Sequence, residues 1–234
     1  MKRIEEYQTF GDLWEQHLHP HKAYLPNNQF PCNPIQRDGY LELDAVIHLP
    51  NWPERTRLEG RSMSRGQLDI LVHAKERFTA AKPYLIQESK ITVSYFQTES
   101  ETSTATPVST VRYDYDLSIL ASHPLFHFHC CSECVEVPDA NMLGSWRYKI
   151  QQSPRKGIYP FRVPTPHMSM CCVLLALVAE HLESEKFRTL WKAIDNRGWH
   201  PPPSAKNHLW VRCQGSTAAA RPFHNWQWYF WKDD

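Results

Sequence analysis

Apolar and polar positions along this chain recur at two spacings, and each predicts a different element. Residues 91–98 (ITVSYFQT) and 108–117 (VSTVRYDYDL) are β-branched and aromatic, with the polar stretch ESETSTATP between them. They are expected to pair as an antiparallel hairpin with a longish loop. Residues 125–131 read as the next strand of a meander. Leu125, His127, His129 and Cys131 share one face, and Phe126, Phe128 and Cys130 share the other. The phenylalanine face is the natural core face, so the histidines face solvent, a groove or a partner. Residues 40–49 (YLELDAVIHL) alternate as an earlier strand, which Pro50 and Pro53 are expected to end. A further short strand is read over 146–150.

Helical spacing predicts the other layer. Leu68, Leu71, Val72, Phe78 and Ala81 recur behind Ser64 as a cap and before Pro83, which predicts a helix over 64–82 packed on the sheet. Residues 167–182 are apolar nearly all round, behind Thr165 as N-cap and Pro166 as first helical residue. They predict a central buried helix. A short first helix is expected from Thr9, with Phe10, Leu13 and Trp14 turned to a core, and another over 184–195. Residues 51–65 read as a polar loop. The resulting expectation is a single α+β domain over 1–234, an antiparallel β-meander packed against two or three helices. Its core lies in 39–182, and 183–234 supply a C-terminal helix and an aromatic extension.

Composition narrows the class. Of the 234 residues, 41% are hydrophobic and 22% charged, which supports a packed core and excludes disorder. A net charge of +1 gives no global basic field for nucleic acid, though a local basic face remains open. Seven cysteines, with vicinal pairs at Cys130–Cys131 and Cys171–Cys172, make a poor disulfide framework. The first residues lack an apolar signal-like stretch, and the apolar run 168–179 falls short of the roughly 20 residues a membrane helix needs. A reduced, cytoplasmic protein with no membrane contact is expected.

Chemistry concentrates in residues 111–134 (VRYDYDLSILASHPLFHFHCCSEC). Asp114 and Asp116 sit two apart, as do His127 and His129. A carboxylate beside an imidazole orients it and raises its basicity, so these four are the candidate catalytic residues. Arg112 or Arg162 would stabilise a phosphate in RNA cleavage. The plainer reading has Asp and His satisfying one another in a polar layer. Cys131-x-x-Cys134 has zinc-knuckle spacing, and His127 and His129 would complete the set. No second CxxC exists, so no cofactor is assigned and zinc stands as the alternative. A third reading is binding without chemistry. It uses Arg112, His123 and Arg162, Arg147 and Lys149 in the interleaved WRYKIQQSPRKGIYPFR, and Trp228 and Trp231 in the aromatic tail. Arg55, Arg57, Arg61 and Arg65 fall within eleven residues, as a phosphate contact or a solvated charged loop. Gly-rich phosphate loops, GxSxG and HExxH are absent, which excludes several common enzyme classes.

With YDYD followed by HPLFHFH and then RVPTP, residues 91–182 resemble uncharacterised bacterial domain-of-unknown-function proteins with a YDYD…HPxxHxH…RxPTP pattern. Those proteins occur near toxin–antitoxin and phage-defence loci. The pattern touches Tyr113, Asp114, Asp116, His123, Pro124, His127, His129, Arg162 and Pro164, and leaves out the cysteines. The resemblance implies an intracellular bacterial accessory or binding protein of a defence or toxin–antitoxin type module. It would engage a protein partner, or nucleic acid, through an Asp/His/Arg groove. The alternative is a small ribonuclease-like toxin using a His/Asp pair. Whether the chain is an enzyme stays open at this point.

Overall fold

A computed structural model describes residues 3–18, 23–25, 30–31, 33–58, 61–81, 86–99, 102–116, 126–131, 143, 146, 148–150, 162–164 and 169–182. It also describes 185, 186, 189, 190, 192 and 193. For residues 3–6, 23–25, 53–58, 61–67, 86, 115–116, 126–131, 162–164 and 179 it describes the backbone alone.

The chain opens with helix α1 (Arg3–His17) and continues through β1 (Ala23–Leu25), β2 (Ile35–Arg37), β3 (Tyr40–Leu58), β4 (Arg61–Thr79), β5 (Ile86–Glu99), β6 (Thr104–Asp116), β7 (Phe126–Cys131), β8 (Lys149–Ile150) and β9 (Arg162–Pro164) to helix α2 (Met170–His181). The strands form one sheet in the order β1-β3-β4-β5-β6-β7-β9, with β2 also on β3 and β8 beside β6. Every neighbour along that order is antiparallel, and β8 alone runs parallel to its partner. The architecture is α+β, built on an antiparallel meander.

Alternation explains the layers. Leu41, Leu43, Ala45, Ile47 and Leu49 of β3 lie in register with Phe78, Glu76, Ala74, Val72 and Ile70 of β4. Ile91 and Val93 of β5 continue that face. Against this inner face pack Tyr7, Phe10, Leu13 and Trp14 of α1 and nearly the whole of α2, forming the main core. A helix buried on almost every side must be apolar nearly all round, as MCCVLLALVAEH is up to Glu180. Its N-cap is Ser169, whose Oγ accepts the Cys172 N–H, and not Thr165 four residues earlier. Thr9 lies within α1 and does not cap it. Glu185, Lys186, Thr189, Leu190, Lys192 and Ala193 are helical, as the pattern over 184–195 predicts, and Leu190 is buried in the core. The aromatic extension lies outside the described residues.

The largest correction is residues 64–82. Where that helix is expected, the chain as far as Thr79 is part of β4, hydrogen-bonded to β3 on one side and β5 on the other. Leu68, Ile70, Val72, Ala74 and Phe78 are all buried. Two residues disguise that period of two, an outward Leu71 and an inward Glu76. Leu71 is covered by Val46, Phe96 and Ala105, a second small cluster flanked by Leu143, Trp146, Tyr148 and Ile150. Glu76 is buried with three donors on its carboxylate: the Tyr7 hydroxyl, the Ser89 hydroxyl and the Met170 N–H. Tertiary partners override the local period.

The expected loop over 51–65 is also strand. β3 passes through Pro50 by a register shift between Leu49 and Trp52, where Asn51 adopts φ 56°. A bulge is a place where a strand tolerates proline, and Asn tolerates the left-handed conformation. The Asn51 N–H is held by Asp69 Oδ1 at 2.9 Å. Residues 104–107 belong to β6, so the β5–β6 loop is shorter than ESETSTATP suggests. The short strand over 146–150 reduces to β8.

Candidate functional site: a histidine–carboxylate face

Away from the apolar cluster around Leu71, the outer face of the sheet is polar, and several sequence-predicted positions lie on it. Three strands deliver them through their register. Asp114 of β6 lies opposite His127 of β7, and Arg112 lies opposite His129. His129 in turn lies opposite Arg162 of β9, and His127 opposite Pro164. Directly opposed residues have Cβ atoms about 4.5–5.5 Å apart. Arg112, His129 and Arg162 therefore form one row across the sheet, with Asp114 and His127 in the row beside it. Phe126 and Phe128 fall level with Tyr115 and Tyr113, on the parity that carries Ile91. The histidine pair is on the opposite parity from the core.

Between the two rows the Arg112 Nε donates to Asp114 Oδ2 at 2.9 Å. The pair is part-buried, with side-chain exposures of 33% and 18%. Asp114 thus orients the guanidinium, and its register partner on β7 is His127. Asp116 lies opposite Glu88 of β5 and beyond the last β6–β7 pair, so no histidine among the described residues lies opposite it.

The rows extend into β4 and β3 and bring in groups that the sequence reading missed. Arg112 is level with Thr92 and His73, and Asp114 with Lys90, Lys75 and Asp44. His73 Nε2 contacts Asp44 Oδ1 at 2.8 Å, and Lys75 Nζ lies 3.4 Å from its Oδ2. A second dyad follows at the bulge. His48 Nε2 meets Asp69 Oδ2 at 3.0 Å while Asp69 Oδ1 takes the Asn51 N–H. Asp69 is buried, and the His48 ring stands edge-on to Trp146 at 4.9 Å. Trp146 also packs on Phe96 and Tyr148. The signal that could have found these groups was the alternation over 68–78, which puts Asp69 and His73 on the polar side of a strand.

Asp44 shows how the face is balanced. Burial pushes its carboxyl upward, but the hydrogen bond and charge of His73, aided by Lys75, outweigh this and hold it below the usual value of 3.8. A carboxylate depressed by folding stabilises the fold above its unfolded value and loses that contribution as pH falls through the folded one. In urea titrations between pH 6 and pH 3, the wild-type midpoint should fall more steeply than that of Asp44→Asn. Equal slopes would remove Asp44 from the acid sensitivity.

Not every candidate joins this face. Lys149 lies opposite Thr104, eight positions along β6 from Arg112, roughly 26 Å at about 3.3 Å per residue. It belongs to a different part of the sheet. His123, Cys134, Arg147, Trp228 and Trp231 lie outside the described residues. The zinc alternative needs Cys134 and the side chains of His127, His129 and Cys131, which are not described. Among the described residues no group of three or more His, Cys, Asp or Glu could hold a metal ion. Among them, too, no helix is long and apolar enough to cross a membrane. The second vicinal pair, Cys171 and Cys172, forms no disulfide and is buried and packed in the core.

The arrangement offers two guanidinium-bearing positions flanking an imidazole-bearing one, beside a carboxylate–imidazole row. Such a set is suited to holding phosphate and to moving a proton next to it. No protein-family model, curated protein or solved structure matches the chain.

Proposed function

We propose that this protein is a nucleic-acid-binding accessory component of a bacterial defence or toxin–antitoxin type module, acting in the cytoplasm. Its outer sheet face takes the phosphodiester backbone of a single strand. One observation carries the reading, the row Arg112–His129–Arg162 drawn from three strands. Arginine forks match phosphate oxygens, and a row of them at strand spacing favours a polyanion over the apolar core of a protein interface. Trp146 and Tyr148 add aromatic surface beside the His48–Asp69 dyad. Fluorescence anisotropy with a labelled 12-nucleotide RNA tests this. Arg112→Ala should weaken binding by about 10-fold to 100-fold, the range for losing a charged hydrogen bond of about 1.5–3 kcal/mol. Wild-type protein that binds no RNA, and instead retains a protein partner by native mass spectrometry, would overturn it.

A second reading has its own support. Asp114 lies directly opposite His127 in the β6–β7 register. That pairing suits general acid–base cleavage of the bound strand, the ribonuclease-like alternative. His127→Ala would then reduce cleavage of the same RNA by about 10² or more while leaving its binding within a few-fold. Wild-type protein that leaves the RNA intact rejects cleavage and keeps binding.

A further inference from the structure

The four arginines of residues 51–65 do not belong to the outer-face rows. Beyond Trp52, β3 keeps pairing with β4 after β5 has dropped away, for the β4–β5 register starts at Asp69. β1 and β2 meet β3 only at residues 46–48 and 40–42. Residues 53–58 and 61–67 therefore form a two-stranded arm that pairs with no third strand among the described residues, roughly 20 Å long at about 3.3 Å per residue. Arg55 and Arg57 lie opposite Ser64 and Ser62 on one side of the ribbon. Arg61 lies opposite Leu58 on the alternate side, and Arg65 occupies the register shift between the Glu54 and Arg55 pairs.

An isolated two-stranded ribbon is only marginally stable in water. This one, PERTRLEGRSMSRGQ, has Leu58 and Met63 as its only large apolar residues, so it is not built to bury a core face. It carries four arginines against Glu54 and Glu59, a net +2, whereas the rest of the +1 chain is net negative by one. The ribbon thus carries a local positive excess that the rest of the chain lacks. A two-stranded ribbon fits the major groove of B-form DNA, about 12 Å wide, whose rims are phosphate.

We infer that the β3–β4 arm is a duplex-DNA-binding ribbon, its arginines contacting the phosphates that border the major groove. The arm is separate from the outer-face rows, so this inference stands or falls apart from them. The test is anisotropy of the full chain with a labelled 16-base-pair duplex across a salt series. Four phosphate contacts contribute a slope of about −3.6 to log K against log salt, or about 100-fold between 50 and 200 mM. The set R55A/R57A/R61A/R65A should lose that slope, and the corresponding lysine set should keep most of it. Single-stranded RNA binding by both sets should match wild type. If the alanine set does not fold, R55A/R57A clears one side of the ribbon and should lose a slope of about 1.8. Wild-type protein that does not bind the duplex, or alanine variants that keep the wild-type slope, would overturn the inference.

Discussion

Glu76→Ala is expected to lower unfolding free energy by about 3 kcal/mol or more, the largest loss for any single polar residue described. The carboxylate is buried on the inner face and accepts from the Tyr7 hydroxyl at 2.5 Å, the Ser89 hydroxyl at 3.2 Å and the Met170 N–H at 3.3 Å. The shortest of these has the length of a charge-assisted bond. Met170 is the first residue of α2, where the helix dipole favours an anion. Removing the carboxylate leaves three buried donors, each costing about 1–3 kcal/mol when unmade, and a cavity besides. Against this stands the relief of no longer desolvating a carboxylate, which is why the sum of the donors is not the expected figure. Glu76→Gln keeps the volume and an acceptor oxygen and should cost clearly less than alanine. Urea unfolding of the three proteins decides it. An alanine variant within 1 kcal/mol of wild type would show that Glu76 does not tie α1, β5 and α2 to β4.

Trp52→Ala should cost a comparable amount, about 3–5 kcal/mol, by the different route of a cavity. Trp52 is fully buried where the arm leaves the sheet. Its ring stacks on Trp14 at 6.4 Å and 12°, and meets His181 edge-on at 6.1 Å. One side chain therefore joins α1, β3 and α2 at the root of the arginine ribbon. At about 2–4 °C per kcal/mol for a chain of this size, Tm should fall by roughly 10 °C. Trp52→Phe, which keeps an aromatic face, should recover part of it. If calorimetry finds alanine and phenylalanine variants both at the wild-type Tm, the arm root is anchored elsewhere.

The residues of the site and the folding of the site were legible to different degrees. Asp114, His127, His129 and Arg162 stood out from the sequence because able side chains are rare at such density. Their grouping rests on pairings that join Asp114 to His127 and Arg112 to Arg162 through His129. Residue spacing within one strand shows which side chains share a face, but it says nothing about which residue of another strand lies opposite. His48, His73, Asp44 and Asp69 were overlooked because one of their two strands was read as a helix.

The β-branched and aromatic content of 91–98 and 108–117, with the alternation of 125–131, by itself determined the meander, since such segments favour strands. A run apolar nearly all round determined that 170–181 is a helix buried on almost every side. The tertiary structure alone decided β4. Its inward Glu76 is acceptable only because Tyr7 and Met170, 69 and 94 residues away, supply donors. Its outward Leu71 is acceptable only because Phe96 and the residues around Trp146 cover it. It decided the arm as well, because Pro50 breaks a regular strand unless Asn51 turns left-handed and a buried Asp69 takes its N–H. Periodicity records what each residue prefers beside its neighbours in the chain. Burial, pairing and hydrogen-bond satisfaction are settled with partners far along it, and where the two conflict the distant partners prevail.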